Sequence, residues 1–180
     1  MEPSFQIIAQ TKQWIREVVV GCNFCPFASR PLTENTVHFQ VDWTTEILRC
    51  AEALIAACRR LDKAPGIETC LLILPNAVPV FNDYLKLLSL AESLLKRYKY
   101  EAIYQVASFH PLYRFKDAAL DDPANFTNRS IYPMLHILRE SSVEKAIKHY
   151  DHPEQIPERN IQFARAKGLE YMKMLRDSCL

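Results

Sequence analysis

The feature that most constrains the fold is a short apolar run that ends at a proline. Between Ile67 and Leu74 the chain becomes continuously apolar after Glu68 and Thr69, and Pro75 stops the run. A strand with one face in water alternates polar and apolar residues, whereas a strand covered on both faces has no need to. The run therefore predicts a strand with helices packed on both sides of its sheet.

Amphipathic helices are predicted on both sides of this strand in the sequence. Apolar residues follow helical spacing from Thr44 to Leu61, and a second stripe runs from Phe81 to Leu95. An earlier stripe from Phe5 to Val19 predicts a first helix, which we expect Gly21 to end in a left-handed conformation.

Two further segments, Thr36 to Val41 and Ala102 to Phe109, are typical of strands. The order is then helix, strand, helix, strand, helix, strand, and crossovers of roughly 25 residues favour parallel neighbours. Helical patterns follow from Ile131, from Ser142 and from about Pro157. We expect an α/β fold in a single domain over residues 1–180. Its sheet would be small, mainly parallel and of three or slightly more strands, covered by helices, with a helical C-terminal third.

Composition excludes several classes of function. The 22 Lys and Arg residues nearly balance the 21 acidic ones, so there is no broad field to attract nucleic acid or an anionic membrane. No apolar run approaches the ~20 residues of a membrane span, and the N-terminus lacks the pattern of a secretory signal. We expect a cytoplasmic protein that binds a small molecule and neither nucleic acid nor a membrane. The oligomeric state is left open.

The six cysteines fall mostly inside apolar patterns, which predicts reduced thiols. Cys22 and Cys25 form a Cys-x-x-Cys pair, but the pair follows a predicted helix and so lies at the negative end of its dipole. Reactive pairs of this kind lie at the positive end, where the thiol pKa is lowered. Position therefore argues against dithiol redox chemistry.

His110 stands where the third predicted strand ends, because Pro111 moves the residue before it out of helical geometry. The carboxyl ends of strands are where open parallel sheets bind ligands. The segment from Leu112 to Ser130 is longer than a simple connection, and loops of that length are commonly functional.

Polar residues crowd the end of that segment. Ser130 is placed to cap the helix predicted from Ile131, and Arg129 beside free backbone N–H groups would bind an anion. On this predicted helix, Tyr132, His136, Arg139 and Glu140 share a face that extends back to Arg129. The alternatives are that the loop residues only pin the loop in place, and that the helix face is simply solvated.

The leading hypothesis is an enzyme that acts on a small anionic substrate, phosphorylated or a carboxylate. His110 would be the general acid or base, Asp122 would orient it, His136 would complete the site, and Cys25 would be a nucleophile. The predicted substrate-binding residues are Asn125, Asn128, Arg129, Ser130, Tyr132 and Arg139.

The alternative is a non-catalytic module that binds a metabolite or a metal. Cys25, His110, Asp122 and His136 are ligand types for zinc or iron, although none of their spacings is that of a known metal site. The cofactor is left unknown, with a divalent metal as one open choice.

The chain resembles the family called domain of unknown function 1415. The matching stretches are Trp14-Ile15 through Val18 to Gly21, Asn23 with Cys25 to Ala28, Glu68-Thr69 with Leu71 to Ile73 and Pro75, Gln105 to Pro111, Tyr113, Phe115, Asp122, Asn125, Thr127 to Ser130, Tyr132-Pro133, His136 and Leu138 to Glu140. The resemblance implies no activity, because the family is defined by sequence. It also implies a leucine where this chain has Cys22, which leaves Cys25 as the cysteine of interest.

Overall fold

The computed structural model describes residues 3–180, so Met1 and Glu2, which entered the N-terminal signal argument, lie outside the described residues. A four-stranded sheet in the order β1-β2-β4-β3 forms the centre of the fold. Its strands are β1 Val37–Val41, β2 Thr69–Ile73, β3 Tyr104–Phe109 and β4 Met134–Arg139. β1 pairs parallel with β2, and β4 pairs antiparallel with both β2 and β3.

Helices account for most of the remaining chain. They are α1 Ser4–Trp14, which continues as a π-helix over Ile15–Val20, then α2 Ser29–Thr33, α3 Ile47–Lys63, α4 Phe81–Arg97, α5 Glu140–Lys148, α6 Ile156–Lys167 and α7 Leu169–Asp177, with 3₁₀ turns at Pro123–Thr127 and Pro153–Gln155. The described part of the chain has no helix that is long and apolar enough to span a membrane.

The α/β class and the helix-strand alternation through β3 are confirmed, but the helix predicted from Ile131 is wrong. The chain forms β4 there and inserts it between β2 and β3, so only β1 and β2 are parallel neighbours. Apolar residues at 131, 135 and 138 imitate helical spacing. Pro133 directly precedes the strand instead, and its carbonyl accepts the N–H of Leu74, the residue after β2.

Both faces of β2 are buried, as its apolar run predicted. Leu72 packs with α3 and α4 in one core, whereas Leu71 and Ile73 pack in a second core with α1, the π-helix and the C-terminal helices. Every residue of β2 is buried. Full burial of a side chain the size of Leu72 contributes about 1.5–3 kcal/mol to the free energy of folding. The interior strand therefore stabilises the packing of helices on both faces.

Gly21 ends the first helix for a steric reason and not for the conformational one predicted. Its φ is −60°, in the right-handed region, so the predicted left-handed cap is wrong. Its N–H donates to the Arg16 carbonyl, which completes the wide π turn. A Cβ at this position would lie 2.3 Å from the Glu17 carbonyl oxygen, which explains why only glycine fits.

Candidate functional site

His110 directly follows β3, as predicted, but the backbone takes both of its ring nitrogens. Nδ1 accepts the Leu112 N–H over 3.0 Å, so Nε2 carries the proton and donates to the Val78 carbonyl over 2.9 Å. The ring is fully buried beside Phe81 and Tyr84. Burial lowers the pKa of His110 and keeps it neutral. Neither nitrogen is left for proton transfer to a substrate.

Asn125 and Asn128 tie the long segment between β3 and β4 together. The fully buried Asn125 accepts the Phe115 N–H through Oδ1 and donates to the Ala119 carbonyl through Nδ2. Asn128 donates through Nδ2 to the Ser108 carbonyl over 3.0 Å. Both side chains thus replace the backbone bonds that an irregular segment lacks.

Arg129 is a buried crosslink in the same segment. Nε donates to the Tyr113 carbonyl over 2.9 Å, and Nη2 donates to the Leu120 carbonyl over 2.7 Å. The guanidinium lies 4.8 Å from the centre of the Phe126 ring. Burial lowers the pKa of Arg129, and the charge of Arg176 lowers it further. The guanidinium N–H groups therefore donate to backbone carbonyls of the same segment.

Asp122 and Arg139 are bonded to neighbouring elements. Asp122 accepts the Ala124 N–H at the start of a 3₁₀ turn and pairs with Arg165 of α6 over 2.7 Å, which lowers the pKa of the carboxyl. Arg139 donates to carbonyls at the end of α3, including that of Leu61. Since the backbone already holds His110, orienting that ring is not the role of Asp122 here.

Ser130 does not cap a helix, because the chain continues into β4. Its hydroxyl donates to the Tyr132 carbonyl, and the Tyr132 hydroxyl donates to Gln10 of α1 over 2.6 Å. The prediction of a helix N-terminus beside Arg129 is therefore wrong, and the free N–H groups of that terminus do not exist.

His136 lies on β4, so its predicted place on a helix face is also wrong. Its Nε2 is 2.6 Å from the Thr69 hydroxyl oxygen, and that hydroxyl also lies 2.6 Å from the Ile137 carbonyl oxygen, to which it donates. A hydroxyl has one proton to donate, so Nε2 must carry the hydrogen in its bond to Thr69. Within residues 3–180, Nδ1 is left as an acceptor without a hydrogen-bond partner.

The surroundings of His136 keep the ring neutral. Burial lowers its pKa to about 4. The Phe109 ring lies 6.2 Å away, centre to centre. His136 thus offers an uncharged acceptor at neutral pH.

A cavity of about 130 Å³ opens beside His136; we call it the His136 cavity. Apolar side chains form most of its wall, including Trp14, Phe27, Leu32, Leu71, Phe109 and Leu138. Of the described residues that line it, none is acidic or a lysine or arginine. It is therefore an apolar chamber in which His136, Thr69 and Cys25 are the groups that bear chemistry.

Cys25 lines the same cavity, whereas Cys22 is buried in the core nearby. Burial raises the pKa of the Cys25 thiol, and hydrogen bonds from the Phe27 and Ala28 backbone N–H groups act in the opposite direction. All six cysteines are free thiols, as predicted. Cys25 and His136 are thus the two predicted site residues that the fold brings to one chamber.

The π-helix builds another wall of the His136 cavity. Trp14, at its start, and Ile15 and Val19 within it all line the chamber. The Trp14 indole Nε1 is buried and has no hydrogen-bond partner among residues 3–180. Short π segments recur at functional sites, and a buried donor without a partner is uncommon in a folded protein. The π-helix thus supplies part of the wall of this chamber.

Sequence reasoning missed Thr69, Trp14 and Phe27 as site residues. Trp14 was grouped with an apolar helical stripe, and Thr69 was the one hydroxyl at the start of an apolar run, which was the available signal.

No group of three or more His, Cys, Asp or Glu side chains in the described part of the chain is arranged so that it could hold a metal ion.

Comparison with known proteins identifies one family. A family model described as "Protein of unknown function (DUF1415)" matches residues 6–174. No curated protein and no solved structure matches the chain.

Proposed function

This chain belongs to the DUF1415 family, and we propose that its function is to bind a small, uncharged, largely apolar molecule in the His136 cavity. The observation that carries the proposal is a neutral His136 whose Nδ1 keeps an unused acceptor in an otherwise apolar chamber. A ligand hydroxyl or N–H would complete that bond, while its apolar body would replace water in the cavity.

The lack of charged side chains among the described residues of the wall favours an uncharged ligand. No carboxylate, ammonium or guanidinium among the described residues lines the chamber to balance an ion. Moving an unpaired ion into such surroundings is strongly unfavourable. The anionic substrate predicted from Arg129 and His110 stays a prediction, and their contacts with backbone carbonyls and amides do not support it.

Size limits the part of the ligand that fits. An apolar cavity of ~150 Å³ in another protein accommodates benzene. The His136 cavity, at about 130 Å³, suits a group of comparable or slightly smaller size. We therefore expect an aromatic ring or a short branched chain to occupy it.

Benzyl alcohol is a suitable probe because it joins a ring to one hydroxyl. Titration monitored by amide NMR should shift resonances around His136, whereas benzoate, of similar shape but charged, should not bind. Ala28→Phe fills the cavity from its wall and should abolish binding. Ala56→Phe places the same side chain on the exposed side of α3 and should leave binding intact. Binding by Ala28→Phe equal to that of the original protein would count against the cavity.

A second candidate function is a thiol-dependent enzyme, because Cys25 lines the same chamber as His136. A nucleophile requires the thiolate, and the Phe27 and Ala28 backbone N–H groups lower the pKa of the thiol, but burial outweighs them and raises it. Alkylation of Cys25 by iodoacetamide separates the two functions, with Cys25→Ser as the control. A rate above that of free cysteine at pH 7.5 would support the enzyme, and a slower rate supports binding alone.

A further inference from the structure

A second cavity of about 340 Å³ adjoins the His136 cavity; we call it the Asn160 cavity. The two share Val19, Cys25 and Phe109 as lining residues. The Asn160 cavity lies toward the start of α6, with Ile161 of α6 in its wall. A ligand that extends out of the apolar chamber past Cys25 would enter it.

The Asn160 cavity differs from its neighbour in its hydrogen-bonding groups. Asn128, Asn160 and Thr127 line it, and their side chains are already held in place. Asn160 donates to the Phe24 carbonyl, and Asn128 bonds both Ser108 and Thr127. A carboxamide has two N–H donors and two acceptor positions on its oxygen, so each Asn keeps further capacity.

Charge is again absent from the lining. No described residue that lines the Asn160 cavity is acidic or basic. The remaining capacity is therefore that of fixed amides and a hydroxyl, which match a polar group that both donates and accepts. Ligand pockets typically combine an apolar wall with a few such placed polar groups.

We propose that the two cavities together bind one uncharged amphipathic molecule. Its apolar body lies in the His136 cavity, where one hydroxyl or N–H donates to Nδ1 of His136, its chain passes Cys25, and its other end is a primary amide between Asn128 and Asn160. This rests on the proposed function, since it assumes that the His136 cavity takes the apolar body.

The length of the ligand's alkyl chain tests the proposal. Primary n-alkanamides from butanamide to nonanamide are titrated by calorimetry, with benzyl alcohol as the probe that reaches the His136 cavity alone. Each methylene that leaves water should tighten binding about fourfold. Ile161→Trp fills the Asn160 cavity and should remove this dependence without affecting benzyl alcohol. Ile147→Trp, on the exposed part of α5, should change neither.

The polar end is tested separately with heptanamide and 2-octanone, which replaces the amide NH₂ by a methyl group. Thr127→Val removes one hydroxyl from the lining and should weaken heptanamide about fivefold while leaving 2-octanone unchanged.

The outcomes separate this inference from the proposed function. If benzyl alcohol binds but affinity for the amides does not rise with length, the two-cavity ligand is overturned and the His136 cavity stands. The two-cavity ligand is also overturned if Thr127→Val weakens the binding of 2-octanone and of heptanamide equally. If benzyl alcohol itself does not bind, the proposed function fails.

Discussion

His136 and Thr69 form a bond of 2.6 Å across neighbouring strands, and the direction of the Thr69 hydroxyl decides which nitrogen of His136 carries the proton. Because Thr69 donates to the Ile137 carbonyl, it accepts from Nε2 and leaves Nδ1 as the free acceptor. The properties proposed for the cavity follow from this pair, since the ring would otherwise lack a defined tautomer.

Thr69→Val should therefore change the tautomer of His136 and lower the stability of the protein. Valine keeps the shape but removes the acceptor for Nε2–H, so the Nε2–H tautomer should lose its preference. We expect a loss of about 1–3 kcal/mol in the free energy of unfolding, because a buried donor loses its partner. Long-range ¹H–¹⁵N spectra of the imidazole report the tautomer, and Thr33→Val, on the exposed surface of α2, is the control. An unchanged tautomer in Thr69→Val would contradict the assignment.

The pKa of His136 predicts a loss of stability in acid. Its folded pKa of about 4 lies below the usual value near 6.5, so protonation favours the unfolded state. This contribution is fully present above pH 6.5 and declines as pH falls toward 4. Between pH 7.5 and pH 5 it should amount to about 2 kcal/mol.

Urea unfolding of the original protein and of His136→Gln at both pH values isolates this contribution, because the carboxylates and His110 titrate in both proteins. The difference in unfolding free energy between the two proteins should shrink by the expected amount at pH 5. A difference that stays constant with pH would place the pKa of His136 near its usual value.

Arg129→Met should destabilise the protein without affecting the binding of benzyl alcohol. The Tyr113 and Leu120 carbonyls would each lose a charged donor, at a cost of about 1.5–3 kcal/mol per bond. The measurement is the midpoint of thermal unfolding with and without inorganic phosphate, and Arg114→Met, at an exposed arginine of the same segment, is the control. If phosphate stabilises the original protein and not Arg129→Met, Arg129 is the anion clamp predicted from the sequence.

Gly21→Ala tests the end of the π-helix. The new methyl group would meet the Glu17 carbonyl oxygen at 2.3 Å, so the backbone must shift. We expect a loss of about 1–3 kcal/mol in stability, as for other overpacked sites, and weaker binding of benzyl alcohol because the π-helix lines the cavity. Gly66→Ala has nothing within 4 Å of the added Cβ and should change stability by less than about 0.5 kcal/mol. Equal stabilities would show that the turn relaxes freely.

The part of the fold visible in the sequence is the part that local pattern decides. The stripe of α3 and the apolar run of β2 each carry a periodicity or a continuous burial that can be read without knowing any neighbour. The segment that forms β4 cannot be read this way, because Leu135 and Leu138 suit either a helix face or a strand buried on both sides. Its neighbours β2 and β3 decide the matter by bonding its backbone on both edges.

The sequence by itself determined the α/β class, the free thiols and the presence of unusual polar residues after β3. Only the tertiary structure decided what these residues do. It buries His110 and Arg129 against backbone groups, and it brings Cys25 and His136 to one chamber. Hydrogen-bond partners and cavity walls come from segments far apart in the chain, so local spacing carries no information about them.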